Sequence, residues 1–199
     1  MKTLIIVDVL NDFLPGGSLP VPQGDAVVPV INGIADRFDL VVATQDWHPQ
    51  GHLSFASNHP GRKPFDTVML EGLEQTLWPD HCVQGSRGAD FAPDLDPHRI
   101  EAIFRKGMDP RIDSYSGFFD NAHRKDTGLA GYLRARGATR IYICGLAADI
   151  CVYYTLRDAL REGFEAYLLE DASQPLSTND FVRITQELPE AVIRSDRIR

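Results

Sequence analysis

Apolar and polar positions along this 199-residue chain fall into short β-branched runs separated by helical stripes. The runs cover residues 4–9, 40–44, 101–105, 140–144, 165–169 and 191–194. Most are too continuously apolar for strands with one solvated face, and they predict strands covered on both sides. Between them, Ala26, Val27, Val30, Ile31, Ile34 and Phe38 share one helical stripe. Leu129 and Leu133 mark a second helix that Gly137 stops. A third is expected from about Asp149 through Val152, Leu156 and Leu160 to Gly163, and a fourth over about 179–188, ahead of Pro189. Strand and helix alternation of this kind builds a parallel α/β sheet, read here as a single domain over residues 1–199.

Residues 47–99 break the alternation, with six prolines and five of the six histidines but no sustained period. Trp47, Phe55, Phe65, Trp78 and Phe91 argue against a solvated linker, so the segment is expected to be an ordered excursion over the edge of the sheet. Composition narrows the function classes. Twenty Lys and Arg against 28 Asp and Glu give a net charge of −8, and no basic run could track a phosphate backbone or an anionic membrane. Cys82, Cys144 and Cys151 are odd in number and scattered, which excludes an intrachain disulfide framework and points to a reducing cytoplasm. The first apolar stretch meets Asp8 too soon for an export signal or a membrane span.

Ligands of parallel α/β sheets bind beyond the carboxyl ends of the strands, and chemistry-bearing residues collect there. Asp8 closes the first run, Asp46 and His48 follow the second, Lys106 ends the third, and Cys151 follows the fourth after a Gly145–Ile150 turn. In the first turn of a helix, unpaired N–H groups favour a thiolate, so Cys151 reads as a nucleophile or as a small core hydrophobe. Cys144, among Ile141, Tyr142 and Ile143, reads as core, and Cys82 stays open. A carboxylate near a thiol can take its proton, and a lysine can hold that carboxylate in place. Asp46 and His48 project to the same side if the strand path continues; with His81 they form a set suited to Zn, Mn or Fe, or else they are solvated loop residues.

Several blocks occur together and in order: IVDVLNDFLPGGSL, TQDWHPQGHLSF, WPDHCVQGSRGADF, FRKG with SYSGFFD, and GLAADICV. This pattern covers almost the whole chain and resembles the cysteine hydrolases of the isochorismatase-like superfamily, most closely their nicotinamidase (pyrazinamidase) branch. The resemblance implies a three-layer, Rossmann-like α/β/α domain with a six-stranded parallel sheet and a long metal-site loop at about 47–99. It implies hydrolysis of nicotinamide to nicotinate and ammonia through a cysteine thioester, in NAD salvage, with pyrazinamide as an analogue substrate. The implied roles are Asp8 as base and acid, Lys106 as its partner and Cys151 as nucleophile. The oxyanion hole would use the backbone N–H groups of Ala147 and Cys151 after a cis Leu146–Ala147 bond. One divalent ion (Zn, Fe or Mn) would be held by Asp46, His48 and His81, with His52 an additional ligand in some relatives, and Phe13, Trp78 and Tyr115 would border the ring. Leu10 and Ala148 depart from the Gln and Thr common in relatives. The implied partner is a small neutral amide, with no nucleic acid and no membrane, and the oligomeric state stays open. Another amidohydrolase of the superfamily, such as an N-carbamoyl amidase, would use the same triad without the metal, so the Asp46, His48 and His81 set separates the two readings.

Overall fold

The computed structural model describes residues 1–198; Arg199, the last residue of the expected domain, lies outside them. Eight strands form: β1 Lys2–Val7, β2 Leu40–Asp46, β3 Thr67–Leu70, β4 Leu73–Thr76, β5 Ile100–Lys106, β6 Arg140–Leu146, β7 Glu165–Gln174 and β8 Val192–Ile193. The helices are α1 Val27–Ile34, α2 Leu129–Ala135, α3 Tyr153–Arg161 and α4 Thr178–Glu187. Six strands make one parallel sheet in the order β5-β2-β1-β6-β7-β8, and β3 and β4 pair separately as an antiparallel hairpin.

The continuously apolar runs do lie at the centre: β2 is buried along its whole length, and β1 and β6 are buried beyond their first residues. At the edge, β5 instead alternates, exposing Glu101, Ile103 and Arg105 while Lys106 turns inward. One face of the sheet presents Leu4, Ile6, Tyr142 and Cys144 to Val27 and Ile31 of α1; the other presents Ile5, Val7, Ile141 and Ile143 to Leu129, Leu133, Leu156 and Ala159.

Residues 47–99 are ordered, but they do more than run over an edge. Trp78, Cys82, Ala89, Ala92 and Leu95 join α1 in covering its face, and the β3–β4 hairpin projects from the same segment. Cys151 precedes α3 in a π-helical turn over Ala148–Val152, so the expected third helix is divided in two. Its buried stripe runs through Leu156 and Ala159, whereas Leu160 is exposed. Among the described residues no helix is long and apolar enough to cross a membrane.

The chain moves outward from β1 through β2 to β5, then crosses back to β6 on the other side of β1 and continues through β7 to β8. The order therefore reverses between β1 and β6, and the crevice beyond their carboxyl ends is where such a sheet binds its ligand.

Candidate active site

Asp8 follows the last residue of β1 with φ of +49°, a left-handed conformation that Asp tolerates better than most side chains. Asp46 ends β2 and Lys106 ends β5; the two are register partners across the sheet. Lys106 is 2% exposed, and its ammonium is held from four sides. Nζ lies 2.8 Å from Asp8 Oδ2, and donates to Asp46 Oδ1 at 2.7 Å, to the Ser114 carbonyl at 2.9 Å and to Cys151 Sγ at 3.5 Å. Asp8 Oδ1 also accepts from Thr44 Oγ1 at 2.7 Å. The sequence gives Lys106 one carboxylate partner; the structure adds a second, Asp46.

This cluster sets the protonation states. Burial disfavours the charged lysine, but Asp46 and Asp8 outweigh it and raise the ammonium well above its ordinary range. Burial pushes Asp46 up, yet Lys106 and His48 hold its carboxyl well below the usual value. For Asp8, burial wins over Lys106 and its carboxyl is raised, which suits a group that must take and return a proton. Cys151 is also raised well above an ordinary thiol, by burial first, with Lys106 opposing and the surrounding carboxylates assisting burial. Desolvation beside three carboxylates thus outweighs the lysine and the helix end that favour a thiolate, so the thiol needs a base to lose its proton. Carboxylate oxygens of Asp8 and Asp46 and the Cys151 sulfur all lie within 4.8 Å of one another.

Asp46, His48 and His81 also come together, one ligand atom from each within 4.8 Å of the others. His48 Nδ1 lies 3.0 Å from the Gly107 carbonyl and His81 Nδ1 2.8 Å from the Pro79 carbonyl. A carbonyl can only accept, so each ring donates from Nδ1 and, in its neutral form, keeps a bare Nε2. Those two Nε2 atoms face Asp46 Oδ2 at 3.5 and 3.8 Å, and His48 Nε2 is buried with no hydrogen-bond partner. Two bare imidazole nitrogens and a carboxylate, each histidine locked by a carbonyl behind it, fit a divalent transition metal. Gly107, at φ of +67°, permits this: a Cβ there would stand 2.5 Å from the His48 ring.

His52 differs. The Ser54 N–H donates to His52 Nδ1 at 3.0 Å, which leaves the ring proton on Nε2, the opposite tautomer from that of His48 and His81. Cys82 follows His81, but its thiol points to the Gly88 carbonyl at 4.0 Å and burial raises it well above its ordinary range. Cys144 is core, 3.7 Å from the Ile5 carbonyl.

Phe13, Trp78, Tyr115, Asp46, His81, Ala147 and Cys151 all line one crevice, completed by Leu19, Val21, Asp113, Ile150 and Leu176. Phe13 lies 5.5 Å from the His81 ring, and Trp78 meets Tyr115 edge-on at 6.1 Å. The Leu146–Ala147 peptide is cis. Leu10 and Ala148 are fully buried, Leu10 within the apolar cluster on the α1 face of the sheet. Sequence reading missed Thr44, Gln75, Asp113 and Ser114. Gln75 belongs to the unforeseen hairpin; its Nε2 donates to Asp113 Oδ2 at 3.2 Å and to Tyr115 Oη at 3.1 Å, and Trp78 Nε1 donates to the same carboxylate oxygen at 3.2 Å.

The model of the isochorismatase domain matches residues 2–184. The nicotinamidase of Acinetobacter baylyi is 48% identical over 176 residues, which is 88% of this chain and 82% of that protein. Among solved structures, the nicotinamidase/pyrazinamidase of Acinetobacter baumanii superposes with a TM-score of 0.94 at 43% identity, over 98% of this chain and 96% of that one. The pyrazinamidase of Pyrococcus horikoshii, solved in complex with zinc, gives 0.79 at 39% identity, over 97% and 98%.

Proposed function

The chain belongs to the isochorismatase domain family, and we propose that it hydrolyses nicotinamide to nicotinate and ammonia, with pyrazinamide as an analogue substrate. The observation that carries this reading is the meeting, in one crevice, of a Cys–Asp–Lys set with a two-histidine, one-carboxylate cluster. The triad alone would serve many amides; the second cluster provides a place for a ring nitrogen.

Asp46, His48 and His81 would hold one divalent ion, zinc being the metal bound in the Pyrococcus relative. When bound, that ion supplies a Lewis-acid site that holds and orients the substrate's ring. His52 stands outside this set because its Nδ1 lone pair is engaged by Ser54. Phe13, Trp78 and Tyr115 flank the ring, so the carboxamide is presented to Cys151 from a fixed direction.

As the Cys151 sulfur attacks the amide carbon, Asp8 takes the thiol proton, and Lys106 keeps Asp8 oriented throughout. Charge developing on the amide oxygen meets the backbone N–H groups of Ala147 and Cys151, placed where the π-helical turn begins and passes the crevice. Asp8 returns the proton to the departing nitrogen, ammonia leaves, and a thioester remains. Water then attacks that carbon, giving its proton to Asp8. The C–S bond breaks, nicotinate is released, and Asp8 reprotonates the sulfur.

Three free, buried cysteines suit a reducing compartment, the cytoplasm. Ammonia release from nicotinamide, measured for the native protein, Cys151→Ala and chelator-treated protein, tests the proposal. Loss of turnover is expected in the latter two, restored by added metal in the last. Turnover by Cys151→Ala would sink the nucleophile assignment, and indifference to chelation would favour an amidase that needs no ring anchor.

A further inference from the structure

Asp113 has no place in the reaction just described, yet it stands in the crevice wall, 5% exposed. Its Oδ1 accepts from the Ser114 N–H at 2.7 Å, and its Oδ2 from Trp78 Nε1 and Gln75 Nε2, each at 3.2 Å. Three N–H donors and no acceptor are the surroundings of an ionised carboxylate. All three donors are neutral; the His48 and His52 rings each offer a nitrogen within 4.8 Å of a carboxylate oxygen, but His48 holding a metal is a neutral imidazole and burial lowers His52, so the charge is solvated without being cancelled. Burial, and after it the Asp113 charge, push the neighbouring Tyr115 hydroxyl well above its ordinary value.

We propose that Asp113 is a specificity-determining residue whose buried negative charge makes the crevice prefer a neutral amide to the carboxylate that hydrolysis produces. The inference rests on the function proposed above. A divalent ion, Lys106, Asp8 and Asp46 together leave one net positive charge around the reacting centre. That surplus would retain an anionic ring acid, which offers the same ring nitrogen as the substrate and adds a carboxylate. Asp113 brings the total to zero, and its charge acts across a short, dry path where screening by salt is weak. Substrate and product are nearly the same shape, so shape alone cannot separate them; one unit of charge can. Gln75 and Trp78 fix the carboxylate in the wall, so the hairpin that carries Gln75 contributes to selection without touching the reacting atoms.

The test uses metal-loaded Cys151→Ala protein, in which neither ligand turns over, and titrates nicotinamide and nicotinate separately by calorimetry. The amide is expected to bind at least about 10-fold more tightly than the acid. Adding Asp113→Asn is expected to shrink that ratio by about 10-fold or more, through tighter nicotinate binding. Equal weakening of both ligands by Asp113→Asn would reduce the residue to a prop for Trp78 and overturn the inference. Should that variant fail to fold, the parent comparison decides alone, since nicotinate binding as tightly as nicotinamide overturns the inference too. Absence of binding by either ligand to the parent would instead defeat the function proposed above, and this inference with it.

Discussion

The two halves of the crevice are built by different means. The reacting half stands on the sheet: Asp8 follows β1, Lys106 ends β5, and Cys151 sits in the π-helical turn after β6, at carboxyl ends that parallel pairing aligns. The half proposed to hold the ring is borrowed from connections: His48, Trp78 and His81 from the 47–99 excursion, Asp113 and Tyr115 from the segment after β5. Only Asp46 belongs to both, as the end of β2, a partner of Lys106 and a neighbour of both histidines. The division suggests that bond-breaking is a property of the rigid scaffold, whereas the choice of substrate lies in loops that can vary without disturbing it.

The contrast can be broken most severely at the nucleophile. Cys151→Ala should lower ammonia release by at least about 10⁴-fold in a coupled ammonia assay while nicotinamide still binds, because the ring-holding half is untouched. Lys106→Met attacks the joint between the halves. Leaving Asp8 and Asp46 buried without their cation should cost about 3–5 kcal/mol, seen as a lower denaturant midpoint at unchanged m-value. A loss below about 1 kcal/mol would mean that water replaces the ammonium and the halves are not coupled through it.

Gly107→Ala addresses the recognition half alone. Crowding the His48 ring should weaken metal affinity by about 10–100-fold in a competition titration against a chromophoric chelator, with activity recovered by excess metal. The mildest probe is pH. Asp8 must be ionised to act, and burial, opposed by Lys106, raises its carboxyl, so kcat/KM should fall on acidification at a pH above the ordinary carboxylate value of 3.8. A raised native pKa means that protonating Asp8 favours the folded state, so thermal stability should hold across that limb. Stability contributed by the depressed Asp46 carboxyl persists above its ordinary value and is lost only at lower pH. Coincident loss of activity and structure would assign the limb to unfolding.

Much of this was legible in the order of residues. Continuous apolar runs located the central strands, and asking which polar residues follow them found Asp8, Asp46, Lys106 and Cys151 with no knowledge of contacts. The hairpin was hidden because its strands are only four residues long and carry little apolar–polar alternation in the sequence to detect. Gln75, Asp113 and Ser114 were hidden for another reason: each matters through a hydrogen bond to a partner between 8 and 40 positions away or through its backbone, and no local spacing encodes that. The rise of the Cys151 thiol was not legible either, because a helix terminus is visible in sequence, while the depth of burial and the number of neighbouring carboxylates are not.

Lys106 also bears on how the chain recognises its own correct assembly. Side chains in a strand alternate between faces, so a slip of β5 by one residue would send Arg105 inward and carry Lys106 out to solvent. Asp8 and Asp46, at the ends of two other strands, would then be sealed together with no cation between them. Mispaired sheets that an apolar core would tolerate are thereby penalised at a single atom, and the group proposed to orient the proton carrier serves also as a proofreader of strand alignment.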